Sequence, residues 1–200
     1  MKTKQEDEME KSIFKERQEE GKSLFEMRCD YVGNIFHDER IKSAEVTSDN
    51  KYIVSVSDKT IGVWSVSDKA LFHRFEEAYS LNSPLVVTSD SKYIISGSGD
   101  KTIGVWSIAD KTLFHRFERA HQDSITSVEV TNDSRFIISV SNDKTIGVWN
   151  IAEKTIFDRL EGPHSDEIST VAVTSDNKYI ISGSHDTRIK VWSMEDKTLF

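Results

Sequence analysis

Serine, histidine and aspartate recur together along this chain. In another setting that trio is a nucleophile, its base and the carboxylate that orients the base. The sets are Ser55 and Asp58, preceded by His37; Ser96 and Asp100; His121, Ser139 and Asp143; and His164, Ser182 and Asp186. An active site is normally single. A trio that returns at a near-constant interval points instead to a repeated structural device.

The other candidates for chemistry are weaker. Gly21-Lys22-Ser23 has the ending of a phosphate-binding loop, but that loop needs a glycine five residues before Gly21, and Glu16 stands there. The six histidines are His37, His73, His115, His121, His164 and His185, and no pair has zinc-enzyme spacing. His73 and His115 share one repeat position in Phe-His-Arg-Phe, where a packing or surface role is expected. Cys29 is the one cysteine; it excludes a disulfide framework, leaves no Cys-based metal set and fits a reducing compartment. Lys59, Lys101 and Lys144 read as solvated turn residues, with a ring of lysines facing an acidic ligand as the alternative. No cofactor or metal is expected. The net charge of -8 gives no electrostatic footprint for nucleic acid. No apolar run approaches the ~18 residues of a membrane span, and Met1 to Glu20 has no secretory core.

The elements that must position these residues follow from the repeat. All four tryptophans follow a valine, at Trp64, Trp106, Trp149 and Trp192, separated by 42, 43 and 43 residues. Asp-Lys-Thr-Ile-Gly-Val-Trp occurs three times, ending at Trp64, Trp106 and Trp149, and has drifted to Asp186-Thr-Arg-Ile-Lys-Val-Trp192. Each unit predicts four short strands. In the third they run over Ser124 to Val130, Arg135 to Ser141, Thr145 to Trp149, and from Thr155. Asn132 and Asp133 supply turn chemistry between the first two, and Asn142-Asp143-Lys144 makes the next turn. Short β-runs punctuated by turns signal an all-β fold, and the strict longer period selects a β-propeller. Residues 1–21 differ: they are helix formers of mixed charge, read as a short helix or disordered lead-in, with the blades occupying 22–200.

On these residues the chain resembles the WD-repeat family of β-propellers. The resemblance implies a hydrogen-bonded tetrad of His, Ser, Asp and Trp in each blade. It assigns His37, Ser55, Asp58 and Trp64 to the first; Ser96, Asp100 and Trp106 to the second; His121, Ser139, Asp143 and Trp149 to the third; and His164, Ser182, Asp186 and Trp192 to the fourth. The physical logic holds without the name. A buried indole N–H needs an acceptor, a serine hydroxyl can accept it and pass a bond to histidine, and the second ring nitrogen can bond aspartate. Three departures stand out. The Asp that usually follows Trp is replaced by Ser65, Ser107, Asn150 and Ser193; the first copy is one residue short between Ser and Asp; and Tyr79 stands where the second copy should have His. The second blade is therefore expected to be the loosest.

Propellers of this family carry about seven blades. Lys22-Ser-Leu-Phe25 and Lys197-Thr-Leu-Phe200 both match the opening of an outer strand, Lys111-Thr-Leu-Phe114. Four blades between two such openings predict an incomplete or open ring. A piece of a longer protein, closure with a second copy or another chain, and a small four-bladed ring are the three ways to satisfy it.

The resemblance implies a non-catalytic protein-interaction scaffold or adaptor, cytoplasmic or nuclear, with other proteins as partners and no nucleic acid or membrane. The alternative is the regulatory propeller of a larger enzyme such as a kinase or ubiquitin ligase. The implied contact face is built from the loops before the first strand and between the second and third. Positions that vary between copies there are the candidate protein-binding residues: Asp38, Gly99, Gln122, Asp123, Asn142, Ser165, Asp166 and His185.

Overall fold

A computed structural model of the chain describes residues 40–76, 84–160, 162 and 164–199. The expected lead-in, the strand expected from Lys22, His37, Asp38 and Tyr79 lie outside them. The described residues form antiparallel sheets in chain order. The first blade holds β1 (Ser43–Val46), β2 (Tyr52–Val56), β3 (Ile61–Ser65) and β4 (Ala70–Phe75). The second holds β5 (Leu85–Val87), β6 (Tyr93–Gly97), β7 (Ile103–Ser107) and β8 (Thr112–Phe117). The third holds β9 (Ile125–Val130), β10 (Phe136–Ser141), β11 (Ile146–Asn150) and β12 (Thr155–Leu160). The fourth is three-stranded, β13 (Ile168–Val173), β14 (Tyr179–Ser184) and β15 (Ile189–Ser193), with one further bridge from Trp192 to Leu199. The strands β1, β5, β9 and β13 lie beside one another on the inside of an arc.

One turn recurs in every blade because Thr and Asp bond the local backbone. Thr47 Oγ1 donates to Asp49 Oδ1 at 2.7 Å and accepts the Tyr52 N–H at 3.0 Å, while the Lys51 N–H donates to Asp49 at 3.0 Å. This closes the chain around Asn50, whose φ is 56°. Thr88, Asp90 and Tyr93, then Thr131, Asp133 and Phe136, then Thr174, Asp176 and Tyr179 repeat it. The left-handed residue of the second, third and fourth of these turns then reaches the preceding blade. Ser91 Oγ accepts the Asp49 N–H and Ser134 Oγ the Asp90 N–H, both at 3.2 Å; Asn177 Oδ1 accepts the Asn132 N–H at 2.7 Å.

The apolar residues sort into three cores, one between each pair of successive blades. Val54, Val56, Ile61 and Val63 of the first blade meet Ile94, Trp106 and Ile108 of the second. Ile95, Ile103 and Val105 meet Ile137, Trp149 and Ile151. Ile138, Val140, Ile146 and Val148 meet Ile180 and Trp192. Alternation along each strand thus sends neighbouring residues, such as Ile94 and Ile95, to different interfaces. Three interfaces for four blades make an open arc among the described residues. The exposed end is the far side of the fourth blade: Ile189 is 77% exposed, whereas its counterparts Ile61, Ile103 and Ile146 are fully buried.

A second device links the blades at the rim. The β3–β4, β7–β8 and β11–β12 pairings each slip by one residue at the Trp, leaving Phe72, Phe114 and Phe157 without a ladder partner. Each expelled ring packs on an aromatic of its own blade, Tyr52, Tyr93 or Phe136, with centroids 4.7–4.8 Å apart. The ammonium of the next blade then covers it: Lys111 Nζ is 4.1 Å from the Phe72 centroid, and Lys154 Nζ is 4.2 Å from that of Phe114.

The glycine two residues before each of the first three tryptophans makes room for the indole. A Cβ at Gly147 would lie 2.6 Å from Trp149 Nε1, and one at Gly62 2.7 Å from Trp64 Nε1. The fourth blade carries Lys190 at this place. Gly147→Ala should therefore cost about 1–3 kcal/mol by forcing the ring out of its seat, read as a Tm loss of about 2–10 °C in thermal unfolding.

Candidate functional site

The third blade joins its four predicted residues into one chain of bonds. Trp149, in β11, donates its indole N–H to Ser139 Oγ at 2.8 Å. Ser139, opposite on β10, lies 2.8 Å from His121 Nε2. His121, in the loop before β9, places Nδ1 3.0 Å from Asp143 Oδ2, in the turn between β10 and β11. A carboxylate can only accept, so Nδ1 carries the proton, and in the neutral ring Nε2 accepts the serine hydroxyl. Asp143 also takes the Gln122 N–H at 2.7 Å, and the Thr145 N–H and hydroxyl at 2.9 and 2.7 Å. Arg159 bonds Thr145 Oγ1 and the Ala120 carbonyl, tying β12 to the same loop.

The fourth blade repeats the set with one bond stretched. His164 is 2.8 Å from both Asp186 Oδ2 and Ser182 Oγ, but Trp192 reaches Ser182 at 3.3 Å. The longer bond accompanies Lys190, whose Cβ occupies the space that glycine leaves elsewhere and whose Nζ lies 6.0 Å from the Trp192 ring.

The first two blades depart further. Trp64 donates to Ser55 at 2.8 Å, but the deleted residue tightens the next turn into a Ser57–Thr60 closure, and Asp58 turns to Lys42 Nζ at 3.0 Å. In the second blade Ser96 and Trp106 keep the ten-residue spacing of the third and fourth, yet the expected bond is not made. Trp106 Nε1 is buried without an acceptor among the described residues, and Ser96 Oγ turns to the Gly97 carbonyl at 3.4 Å. Asp100 caps Thr102 instead.

These distances set what the groups can do. Ser139 and Ser182 are fully buried, and each hydroxyl already serves an indole and an imidazole. No substrate carbonyl can reach them. Burial pushes the Asp143 carboxyl up, but hydrogen bonds from His121, Thr145 and the Gln122 amide outweigh it and hold the group far below the usual carboxylate range. The same opposition, led by burial against the His164 bond, brings Asp186 to about 2. His73 and His115 pack edge-on against Phe75 and Phe117 at 4.5 and 4.6 Å. Burial first, then Lys111 or Lys154, lowers their ring pKa. Among the described residues no group of three His, Cys, Asp or Glu could hold a metal.

Gly99, Gln122, Asp123, Asn142, Ser165, Asp166 and His185 come together on the loop ends above this bracing. Gln122, Asp123, Ser165, Asp166 and His185 are exposed, and Gly99 and Asn142 are half-buried. Their main chains hold the loops. Ser124 Oγ contacts the Gly99 carbonyl, the Asn142 N–H donates to the Ser124 carbonyl, and the His185 N–H donates to the Glu167 carbonyl. Lys144 spans two blades, donating to the Ser165 carbonyl at 2.8 Å beside Asp166. The side chains of Gln122, Asn142 and His185 are thereby presented from a fixed frame. Lys144, read from sequence as solvated, is a linker the sequence did not reveal.

The model of the family described as "WD domain, G-beta repeat" matches residues 31–65, 79–107, 111–150 and 156–193. Solved structures of similar fold include those of U3-55K and of the RRP9 WD40 repeats. Each has a TM-score of 0.74 and 24% identity, over 83% of this chain and 52% of the other. This chain thus spans about half the length of those two. No curated protein matches it.

A depressed carboxyl stabilises the fold above its unfolded value, near 4, and loses that contribution as pH falls through its folded value. Asp143→Asn should therefore be less stable than the parent by about 1–3 kcal/mol at neutral pH. Urea unfolding at descending pH should show the gap closing below about pH 4.

Proposed function

The chain belongs to the WD-repeat family of β-propellers, and from that premise we propose that it is a non-catalytic scaffold that binds other proteins through its upper loops. One observation carries this reading. In the third and fourth blades the repeated polar residues are consumed inside the blade, while the residues that differ between repeats sit exposed or half-buried on the loop ends above them. A rigid frame with variable loop tips suits recognition, because contact residues are held in place before a partner arrives. Gln122 and Asp123 in the loop before β9, Asn142 in the turn after β10, Ser165 and Asp166 in the loop before β13 and His185 in the turn after β14 offer mixed donors and acceptors at one end of the blades. Asp38 belongs with them by repeat position. The overall negative charge favours partners with basic contact surfaces.

Affinity capture tests the face. The combined variant Gln122→Ala, Asn142→Ala, His185→Ala should lose the captured partners at least about tenfold, equivalent to ~1.4 kcal/mol. Ser89→Ala, in a turn at the opposite end of the blades, should keep them. Retention of every partner by the triple variant would refute the assignment of this face.

A further inference from the structure

We propose that two seams of the arc, first blade to second and second to third, are weakened together by mild acid, because His73 and His115 must then take a proton beside Lys111 and Lys154. The device is independent of the upper-loop reading. It rests on one repeated position. The residue after each expelled phenylalanine is His73, His115 or Asp158, and in each case it faces the lysine that the next blade sends across the seam. In the third blade the match is attractive: Lys197 Nζ lies 3.2 Å from Asp158 Oδ2. In the first two the same place holds an imidazole.

Both rings are half-buried and fixed in the seam. Each packs edge-on against the phenylalanine two residues on, Phe75 or Phe117. That phenylalanine meets the tryptophan of the next blade, with centroids 5.2 Å apart for Trp106 and 5.1 Å for Trp149. The lysines are held as well, Lys111 Nζ over Phe72 and Lys154 Nζ over Phe114. The charged group that bears on His73 is Lys111, from the turn before β8, and on His115 it is Lys154, from the turn before β12. The carboxylates beside those lysines do not offset them: Asp110 accepts the Ser107 hydroxyl at 2.8 Å, and Glu153 is exposed. Across the ladder stand Val63 and Val105, while Arg74 and Arg116 alternate to the opposite faces of their strands. The Lys111 main chain favours a proton on His73, but burial and the Lys111 ammonium outweigh it. Burial first, then the adjacent ammonium, holds both rings below the ordinary histidine value. Such a ring binds its proton more readily in the unfolded chain. Its contribution to stability is therefore whole above the unfolded value, about 6.5, and is lost as pH falls through that value toward the folded one.

Urea unfolding of the full chain tests this against the double variant His73→Asp, His115→Asp, which copies the Asp158–Lys197 pairing at both seams. Between about pH 7 and about pH 5 the difference in midpoint should move in the variant's favour by about 0.3–1 M. If that variant fails to fold, His73→Gln, His115→Gln replaces it, with a shift in the same direction. Proton resonances of the two rings in the parent should titrate below about 6.5, and Lys111→Met should raise the His73 midpoint without moving that of His115. Parent and variant midpoints that change in parallel over this range overturn the proposal. So does a His73 ring that titrates at its ordinary value, or one that Lys111→Met leaves unmoved.

Discussion

The seating of one indole governs each blade. The tryptophan carries the largest side chain of its interface, and its N–H is buried with it, so the blade must supply both a vacant space and an acceptor. The glycine two residues earlier supplies the space, and the serine on the neighbouring strand supplies the acceptor. Once the serine oxygen accepts, its proton needs a destination, which brings in the histidine. The histidine's other nitrogen then fixes the aspartate. A chain of four side chains thereby ties a loop and a turn to the sheet between them.

The four repeats act as a natural variant series on that constraint. The third has glycine, serine, histidine and aspartate, and all its bonds are short. The fourth replaces the glycine with Lys190, and the indole bond alone lengthens. The first loses a residue in the turn; among the described residues its indole bond is kept while the aspartate is diverted to Lys42. The second has Tyr79 in place of histidine, and its Ser96 hydroxyl no longer faces the indole. Each defect stays next to its cause. That behaviour is expected of a repeat protein in which a unit contacts only its neighbours.

Much of this was legible beforehand. The Val-Trp period and the turn residues identified the blades, and the strands of the third repeat fall within one or two residues of their expected bounds. The bracing of the third and fourth repeats follows from the chemistry of a buried indole. What was not legible depended on geometry that spacing does not encode. Tyr79 in place of histidine marked the second blade as the loosest, but Ser96 and Trp106 keep the same separation as the working pairs, so spacing alone does not say which bond is lost. The slipped pairing that expels Phe72, Phe114 and Phe157 leaves no trace in the strand pattern, and the sequence placed Lys111 only at the opening of an outer strand, with nothing to mark it as a cover for Phe72. Lys190 was visible as drift from glycine, but its effect required knowing that the glycine faces the ring.

The account stands on the direction of the bonds from indole to carboxylate. Long-range proton–nitrogen correlation of the His121 and His164 rings at neutral pH reads that direction. The account predicts a proton on Nδ1, toward Asp143 and Asp186, and an unprotonated Nε2 that accepts Ser139 and Ser182. A proton on Nε2 with Nδ1 bare would contradict it, because neither carboxylate would then be bonded by its histidine and the serine hydroxyls would have no acceptor in the ring.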